Sequence, residues 1–200
     1  MRYNELLDNL KKRGFHPYFA SSREEGIKII REIIPKRSSI GFGGSVTVDE
    51  LDLVDIMKDE YKLLHRSLYD KSKHEDLYWE MARADWYITS TNAIAQTGEL
   101  INIDGRANRV AAMLYGPKNI LVVCGVNKIV KDINEGIDRV RNVAAPLNTK
   151  RLAKNTPCAI TGKCGNCLSP DTICKATVIH HHPTTGKNFY IVLIDEKLGY

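Results

Sequence analysis

Hydrophobic positions along the chain alternate between the spacing of helices and the spacing of strands. Leu6 and Leu10 lie at a helical interval, and a second helical pattern runs from Ile27 to Ile34 behind Ser22, a residue type that caps helices. Short apolar runs separate these segments, and Ile120–Cys124 is continuously apolar, as expected for a parallel strand covered on both faces. This order predicts an α/β fold with a mostly parallel central sheet and flanking helices.

The second half of the chain predicts one long helix and two further strands. We expect the helix over residues 131–154, with a kink or break at Pro146. The segments ATVIHHHP and NFYIVLIDE then predict two strands, and the turn TTGK between them suggests a hairpin. We expect His180, His181 and His182 at a strand edge or on the surface, with metal ligation as the alternative if the hairpin packs on the cysteine loop.

The segment SSIGFGGSVTVDEL predicts a strand, a glycine-rich turn and the start of a helix. Gly43 and Gly44 allow the backbone to approach a ligand, and Ser45 and Thr47 add hydroxyl donors beside the unpaired N–H groups of a helix start. Thr47 and Glu50 have the spacing of a capping box. The turn is therefore a candidate anion site, and the alternative is a tight strand-to-helix connection with nothing bound.

A polar stretch, TSTNAIAQTGELINIDG, lies where further strands are predicted to end, and ligands of open α/β sheets bind at such ends. Glu99 is the candidate catalytic base or nucleophile, and Arg109 could clamp a carboxylate. The alternative is hydrogen bonding that ties loops to the rim of the sheet, with Lys128 as a solvated residue. The candidate ligand-binding side chains of this region and of the next strand end are Asn92, Asn102, Asp104, Arg109, Asn127 and Lys128.

Composition says more about the partners of the protein than about its fold. Hydrophobic residues make up 43% and charged residues 26% of the 200 residues, which is ordinary for a soluble globular protein. The apolar runs are too short to span a bilayer, and the segment MRYNELLDNLKKRGF lacks the apolar stretch of a secretory signal. We therefore expect a cytoplasmic protein with no secretory signal and no membrane contact. The net charge of +5 is spread along the chain, so we expect no nucleic-acid partner. It fits a mixed-charge surface or a pocket for a small anionic metabolite.

Four of the five cysteines are clustered near the end of the sequence, at Cys158, Cys164, Cys167 and Cys174. In a reducing cytoplasm, clustered cysteines more often hold a metal than form disulfides. Four thiolates suit structural Zn²⁺ or an iron–sulfur cluster, although the spacing is not that of a bacterial ferredoxin or a zinc ribbon. The alternatives are a redox pair of Cys164 and Cys167, or reduced thiols with no metal.

The segment STNAIAQTGELINIDGRANRVAAMLYGPKNILVVCGVNKIV resembles the signature of the LUD domain family, and GFGGSVT is similar to the glycine turn of that family. The resemblance implies one domain over residues 1–200, with a cysteine-rich insertion at 157–175 and a NagB/RpiA/CoA-transferase-like fold. It also implies a role in lactate or other organic-acid utilisation beside an iron–sulfur protein partner. Some relatives in the wider fold use a glutamate nucleophile, a role that analogy would assign to Glu99.

Three functional hypotheses follow from the sequence. The first is a LUD-type protein that binds a small anionic ligand and helps to pass electrons to a partner. The second is an enzyme of the wider fold class, such as an acyl-CoA transferase or a sugar-phosphate isomerase, that uses Glu99. The third is a non-catalytic assembly or regulatory module in which the cysteine site fixes the C-terminal hairpin. The sequence leaves open whether the protein is an enzyme and whether it forms a homo-oligomer.

Overall fold

A six-stranded parallel sheet forms the centre of the molecule in the computed structural model, which describes residues 3–200. In spatial order the strands are β1 (His16–Ala20), β10 (Asn188–Ile194), β7 (Asn119–Gly125), β4 (Trp86–Thr89), β2 (Ser39–Phe42) and β3 (Lys62–Leu64). Every neighbouring pair in this sheet runs parallel. The predicted α/β class with a mostly parallel central sheet is confirmed.

A second sheet of four strands packs beside the first. Its order is β8 (Ile129–Val130), β5 (Ala93–Ala95), β6 (Leu100–Asp104) and β9 (Ala176–His180). The strand β6 is antiparallel to both of its neighbours, whereas β5 and β8 run parallel. The TSTNAIAQTGELINIDG stretch therefore builds the middle of a separate small sheet.

The predicted C-terminal hairpin is wrong, because its two strands belong to different sheets. The strand β9 pairs with β6, whereas β10 lies between β1 and β7 of the central sheet. The physical reason is visible in burial: β9 is mostly half-buried, whereas β10 is buried over Ile191–Ile194 without alternation. A continuously apolar strand is suited to the middle of a parallel sheet that is covered on both faces.

Nine α-helices flank the sheets within residues 3–200. They are α1 (Asn4–Lys12), α2 (Arg23–Ile33), α3 (Val46–Glu50), α4 (Leu53–Met57), α5 (His74–Met81), α6 (Asn108–Tyr115), α7 (Ile133–Arg139), α8 (Ala145–Arg151) and α9 (Pro157–Thr161). Ser22 caps α2 as predicted, since its side chain accepts a hydrogen bond from the Glu25 N–H. A π-helical segment, Val140–Ala144, joins α7 to α8. The chain stays helical through Pro146, so the predicted helix is interrupted in its hydrogen-bond pattern by the π-helical segment and is not broken at the proline.

The capping box predicted at Thr47 and Glu50 is wrong by two residues. Ser45 is the N-cap of α3, and its Oγ accepts a hydrogen bond from the Val48 N–H at 3.3 Å. Glu50 instead accepts a hydrogen bond from the Gly199 N–H at 2.7 Å. Thr47 is thereby left inside the first turn, where its hydroxyl is buried and points to other elements.

Apolar side chains cover both faces of the central sheet. Along β7, Ile120 and Val122 belong to the core beneath α1, α5 and α6, whereas Leu121 and Val123 belong to the core beneath α2, α3 and α4. A third cluster joins the second sheet to the π-helical segment. Each buried aliphatic side chain contributes about 1.5–3 kcal/mol, so these layers hold the strand ends in fixed positions.

Candidate functional site

A cavity of about 470 Å³ opens where the strands of the central sheet end. Residues 44–47 follow β2, residues 90–92 follow β4, and Lys128 follows β7, and all of them line this cavity. The carboxyl ends of parallel strands lie at one edge of a sheet, which is why three distant segments meet here. The predicted location of the site beyond these strand ends therefore coincides with a real concavity.

The opposite wall comes from the C-terminal third of the chain. The end of α8 contributes Arg151, the cysteine-rich segment contributes residues 170–173 and Lys175, and the tail contributes Tyr200. Two contacts fix the segment in place: the Asn155 N–H donates to Asp171 at 3.0 Å, and the Lys175 N–H donates to the Asp104 carbonyl at 3.1 Å. The cysteine-rich segment is therefore part of the cavity wall.

The lining of the cavity is strongly positive. Seven basic side chains face two acidic ones, Asp104 and Asp171. The basic residues are Arg66, Arg106, Arg109, Lys128, Arg151, Lys154 and Lys175. The whole chain has 29 basic and 24 acidic residues, so the 22 basic residues elsewhere are balanced by 22 acidic ones. The positive excess of this protein is concentrated at the cavity, and low-dielectric walls strengthen its attraction for anions.

Lys128 is the most unusual side chain of the site. It is 2% exposed, and its Nζ donates to the Thr47 Oγ1 at 2.6 Å and to the Ser90 Oγ at 2.9 Å. Within residues 3–200, no carboxylate oxygen lies within 4 Å of this ammonium group. Burial lowers the pKa of Lys128 to about 8, with the nearby Arg139 and Arg109 acting in the same direction. A buried cation without an acidic partner is costly unless a ligand supplies the missing acceptor.

The C-terminal tail and Thr47 hold Lys128 in position. The Thr47 hydroxyl accepts from Lys128 and donates to the Leu198 carbonyl at 3.2 Å. Asn127, which was predicted to bind ligand, instead accepts from the Leu198 N–H and donates to the Gly199 carbonyl. A side chain on Gly199 would come within 2.5 Å of the Thr47 Oγ1, so this close approach requires glycine.

Arg109 lines the cavity, but its donors are already used. Its guanidinium donates to the carbonyls of Ser90 and Ile103 and to the side chains of Asn92 and Asn102. Its Nε also lies 3.6 Å from Asp104. The arginine thus ties the ends of β4, β5 and β6 together, and the loop-tying alternative describes Arg109, Asn92, Asn102 and Asp104 better than a carboxylate clamp does.

Seven of the ten predicted ligand-binding residues line the cavity: Gly44, Ser45, Thr47, Asn92, Asp104, Arg109 and Lys128. Gly43, Asn102 and Asn127 do not. Gly43 is needed for packing, because a Cβ there would lie 2.6 Å from the Thr89 Oγ1. The start of α3 contributes less to an anion site than expected. The helix has only five residues, and the Val48 N–H already donates to the Ser45 side chain.

Glu99 is buried away from the cavity, at 5% exposure, and does not line it. Its carboxylate accepts hydrogen bonds from the Arg13 guanidinium and from the Thr97 hydroxyl. Arg13 also donates to the Thr97 carbonyl, so the pair attaches the end of α1 to the turn between β5 and β6. The structure does not bring the predicted catalytic carboxylate together with the predicted ligand-binding residues.

The four clustered cysteines lie in one neighbourhood without forming a closed metal site. Burial raises the pKa of Cys174, and the nearby thiols of Cys164, Cys158 and Cys167 raise it further. Cys158 is buried in α9 beside two threonine hydroxyls, and Cys164 accepts from the Asn166 N–H at 3.5 Å. Four thiols suit Zn²⁺ or an iron–sulfur cluster in chemistry, but no group of three metal-binding side chains in residues 3–200 is arranged to hold an ion.

Five basic residues of the cavity were not predicted from the sequence: Arg66, Arg106, Arg151, Lys154 and Lys175. They come from four separate segments, so no local spacing pattern marks them. Arg66 lies against the glycine turn, because a Cβ on Gly44 would come within 3.4 Å of its Nη2. The net charge of +5 was the available signal, but charge composition carries no position along the chain.

Comparison with known protein families shows to which family this chain belongs. The profile of the LUD domain matches residues 3–194, nearly the whole chain. This chain belongs to the LUD domain family. A crystal structure of a DUF162 family protein from Deinococcus radiodurans, which is a member of the same family, is 17% identical and has a TM-score of 0.56. The alignment covers 95% of this chain and 94% of that one, and it supports the fold of this LUD domain.

Two further findings complete the comparison. The search of curated proteins gives no significant match for this LUD domain. Within residues 3–200, no helix has both the length and the apolar character that a membrane crossing requires.

Proposed function

We propose that this LUD domain protein binds a small organic anion, carrying a carboxylate or a phosphate, as its part in lactate or other organic-acid utilisation. Membership of the family supports the link to organic-acid metabolism. The cation-rich cavity at the strand ends supports an anionic ligand. Enzyme activity is left open, because Glu99 lies outside the cavity.

One observation carries the proposal: among residues 3–200, the buried Lys128 ammonium has two hydroxyl partners and no carboxylate partner. An ammonium group has three N–H donors, and two of them are used by Thr47 and Ser90. A ligand oxygen would satisfy the third donor and neutralise the charge in the same step. A surface lysine would not need such a partner, since water would supply it.

The experiment is a ligand screen followed by calorimetry. Lactate, pyruvate, a sugar phosphate and a CoA ester are compared with uncharged glycerol for their effect on the melting temperature, and binders are then titrated. We expect at least one anion to bind and Lys128→Met to weaken its binding about 30-fold, which corresponds to about 2 kcal/mol for a charge-assisted hydrogen bond.

Lys187→Met is the matched control variant. Lys187 is half-buried, lies outside the cavity and donates to the carbonyls of Gly116 and Pro117. This variant should keep the wild-type affinity. The proposal fails if none of the anions binds, or if both lysine variants bind them as well as the wild-type protein does.

The second part of the proposal concerns the cysteines. We propose that Cys158, Cys164, Cys167 and Cys174 hold an iron–sulfur cluster or Zn²⁺, and that a cluster would pass electrons to an iron–sulfur protein partner. The same segment supplies Asp171 and Lys175 to the cavity, which supports a link between the cysteines and the ligand. Metal analysis of protein purified without oxygen tests this part. Absence of both iron and zinc from wild-type protein would overturn it, and loss of metal on Cys164→Ser is the expected result.

A further inference from the structure

We propose that Lys128 is an amine nucleophile that condenses with the carbonyl carbon of a small anionic aldehyde or ketone, a 2-oxo acid or a sugar phosphate, bound in the cavity. The product is a Schiff base between the lysine Nζ and that carbon. This inference rests on the proposed anion-binding function and names the substrate class of the same site.

The hydrogen bonds around the lysine fit a neutral amine as well as they fit an ammonium group. A neutral amine has two N–H donors and one lone pair. The Thr47 and Ser90 oxygens accept both N–H bonds, at 2.6 and 2.9 Å. The lone pair of the nitrogen then has no partner among these protein groups, and the side chain that carries it lines the cavity.

The surroundings favour the reactive form. Desolvation and neighbouring positive charge are the two ways in which proteins activate lysines as nucleophiles. Lys128 has both, because it is 2% exposed and lies near the half-buried Arg109 and Arg139. Its lowered pKa, about 8, leaves an appreciable fraction of free amine near neutral pH. The basic residues of the cavity other than Arg109, whose donors are used by the protein, remain to hold the anionic group of the substrate.

The condensation is balanced without any further reagent. The amine nitrogen forms a bond to the carbonyl carbon, and the carbonyl oxygen takes up protons and leaves as water. Starting from the ammonium form, the products are one iminium and one water, so neither net charge nor oxidation state changes. The Thr47 and Ser90 hydroxyls lie beside the nitrogen and can relay its protons, since each can donate and accept.

Borohydride trapping tests the inference on the intact protein. Wild-type protein is incubated with pyruvate, with dihydroxyacetone phosphate or with uncharged acetone, reduced, and analysed by intact mass and peptide mapping. We expect one adduct for each chain, located at Lys128, with at least one of the two anions and not with acetone. The two anions separate a carboxylate substrate from a phosphate substrate. The yield should rise between pH 6.5 and pH 8.5 as the amine loses its proton.

Matched variants locate the reaction. Lys128→Arg keeps the positive charge and should give no adduct at this position. Lys187 also has a pKa lowered by burial, but it lies outside the cavity, so it should stay unmodified and Lys187→Met should leave the Lys128 adduct intact. Adducts spread over surface lysines, with none enriched at Lys128, would overturn the inference. If anions bind but nothing is trapped, this inference fails while the proposed binding function stands.

Discussion

Two buried charges, Glu99 and Lys128, have opposite surroundings. Glu99 is 5% exposed, and an arginine and a hydroxyl group meet its carboxylate directly. Lys128 is 2% exposed, and in the described part of the chain its ammonium group donates only to the hydroxyls of Thr47 and Ser90. The sequence singled out both residues, Glu99 as the catalytic group and Lys128 as an anion contact or a solvated lysine.

The two environments have different consequences for stability: a paired buried charge stabilises the fold, whereas an unpaired one can be neutralised by a ligand. Removing one partner of a buried ion pair leaves the other uncompensated, so the pair is tied to stability. A buried charge with no acidic partner lowers stability in the free protein, and a ligand that neutralises it recovers that free energy on binding. We therefore propose a structural role for Glu99 and a ligand contact for Lys128.

The largest expected effect is that of Glu99→Leu. It leaves the Arg13 guanidinium without its carboxylate, and we expect the free energy of unfolding to fall by about 3 kcal/mol. Denaturant unfolding measures this loss, and titration of the anion found in the screen should give an unchanged affinity. The matched control is Arg23→Ala, which breaks an exposed pair with Glu196 and should change stability far less. A stable Glu99→Leu protein that no longer binds ligand would reverse the assignment.

The next effect is a gain in stability from Lys128→Met. Methionine keeps the length of the side chain and removes a buried charge, while Thr47 and Ser90 keep their bonds to the carbonyls of Leu198 and Thr91. We expect the free energy of unfolding at pH 7 to rise by about 2 kcal/mol, together with the weakened ligand binding described above. A protein destabilised by this change would show that Lys128 supports the fold as Glu99 does.

The pH dependence of binding gives a smaller effect. An anion favours the ammonium form of Lys128, whose pKa in the free protein is about 8. Above that pH, binding must take up a proton, so the affinity for lactate or another anion without a carbonyl group should fall about tenfold, or about 1.4 kcal/mol, for each pH unit. Calorimetry in buffers of different ionisation enthalpy measures the proton uptake. Binding that is independent of pH between 8 and 10 would exclude Lys128 from the contact.

The smallest effect concerns His180, a buried group with no charge partner. Both ring nitrogens lack a hydrogen-bond partner within residues 3–200, and burial, aided by Arg109, lowers its pKa to about 4. Unfolded histidine binds its proton near pH 6.5, so His180 reduces stability as the pH falls from 6.5 to 4. We expect His180→Leu to gain about 1 kcal/mol at pH 7 and to flatten this acid-dependent loss. An unchanged acid unfolding profile would contradict this account.

The sequence allowed the fold class to be predicted and pointed to the strand ends where the cavity lies, but it did not show which charged residues face that cavity. The parallel sheet followed from the continuous apolar run of β7, and an irregular helix near Pro146 followed from the missing N–H of proline. The role of Glu99 could not be predicted, because its partner Arg13 lies 86 residues away along the chain. The burial of His180 was missed because β9 was assigned to a hairpin instead of to the edge of a second sheet.

The position of β10 has a consequence for how the chain folds. Among the described residues, the edge strand β1 pairs only with β10, with His16 beside Tyr190. This first strand therefore finds its central-sheet partner after residues 188–194 have left the ribosome. Until then one side of β7 is also unpaired. Such long-range closure slows folding and exposes open strand edges, so this protein is expected to rely on chaperones during synthesis more than a fold built from neighbouring strands would.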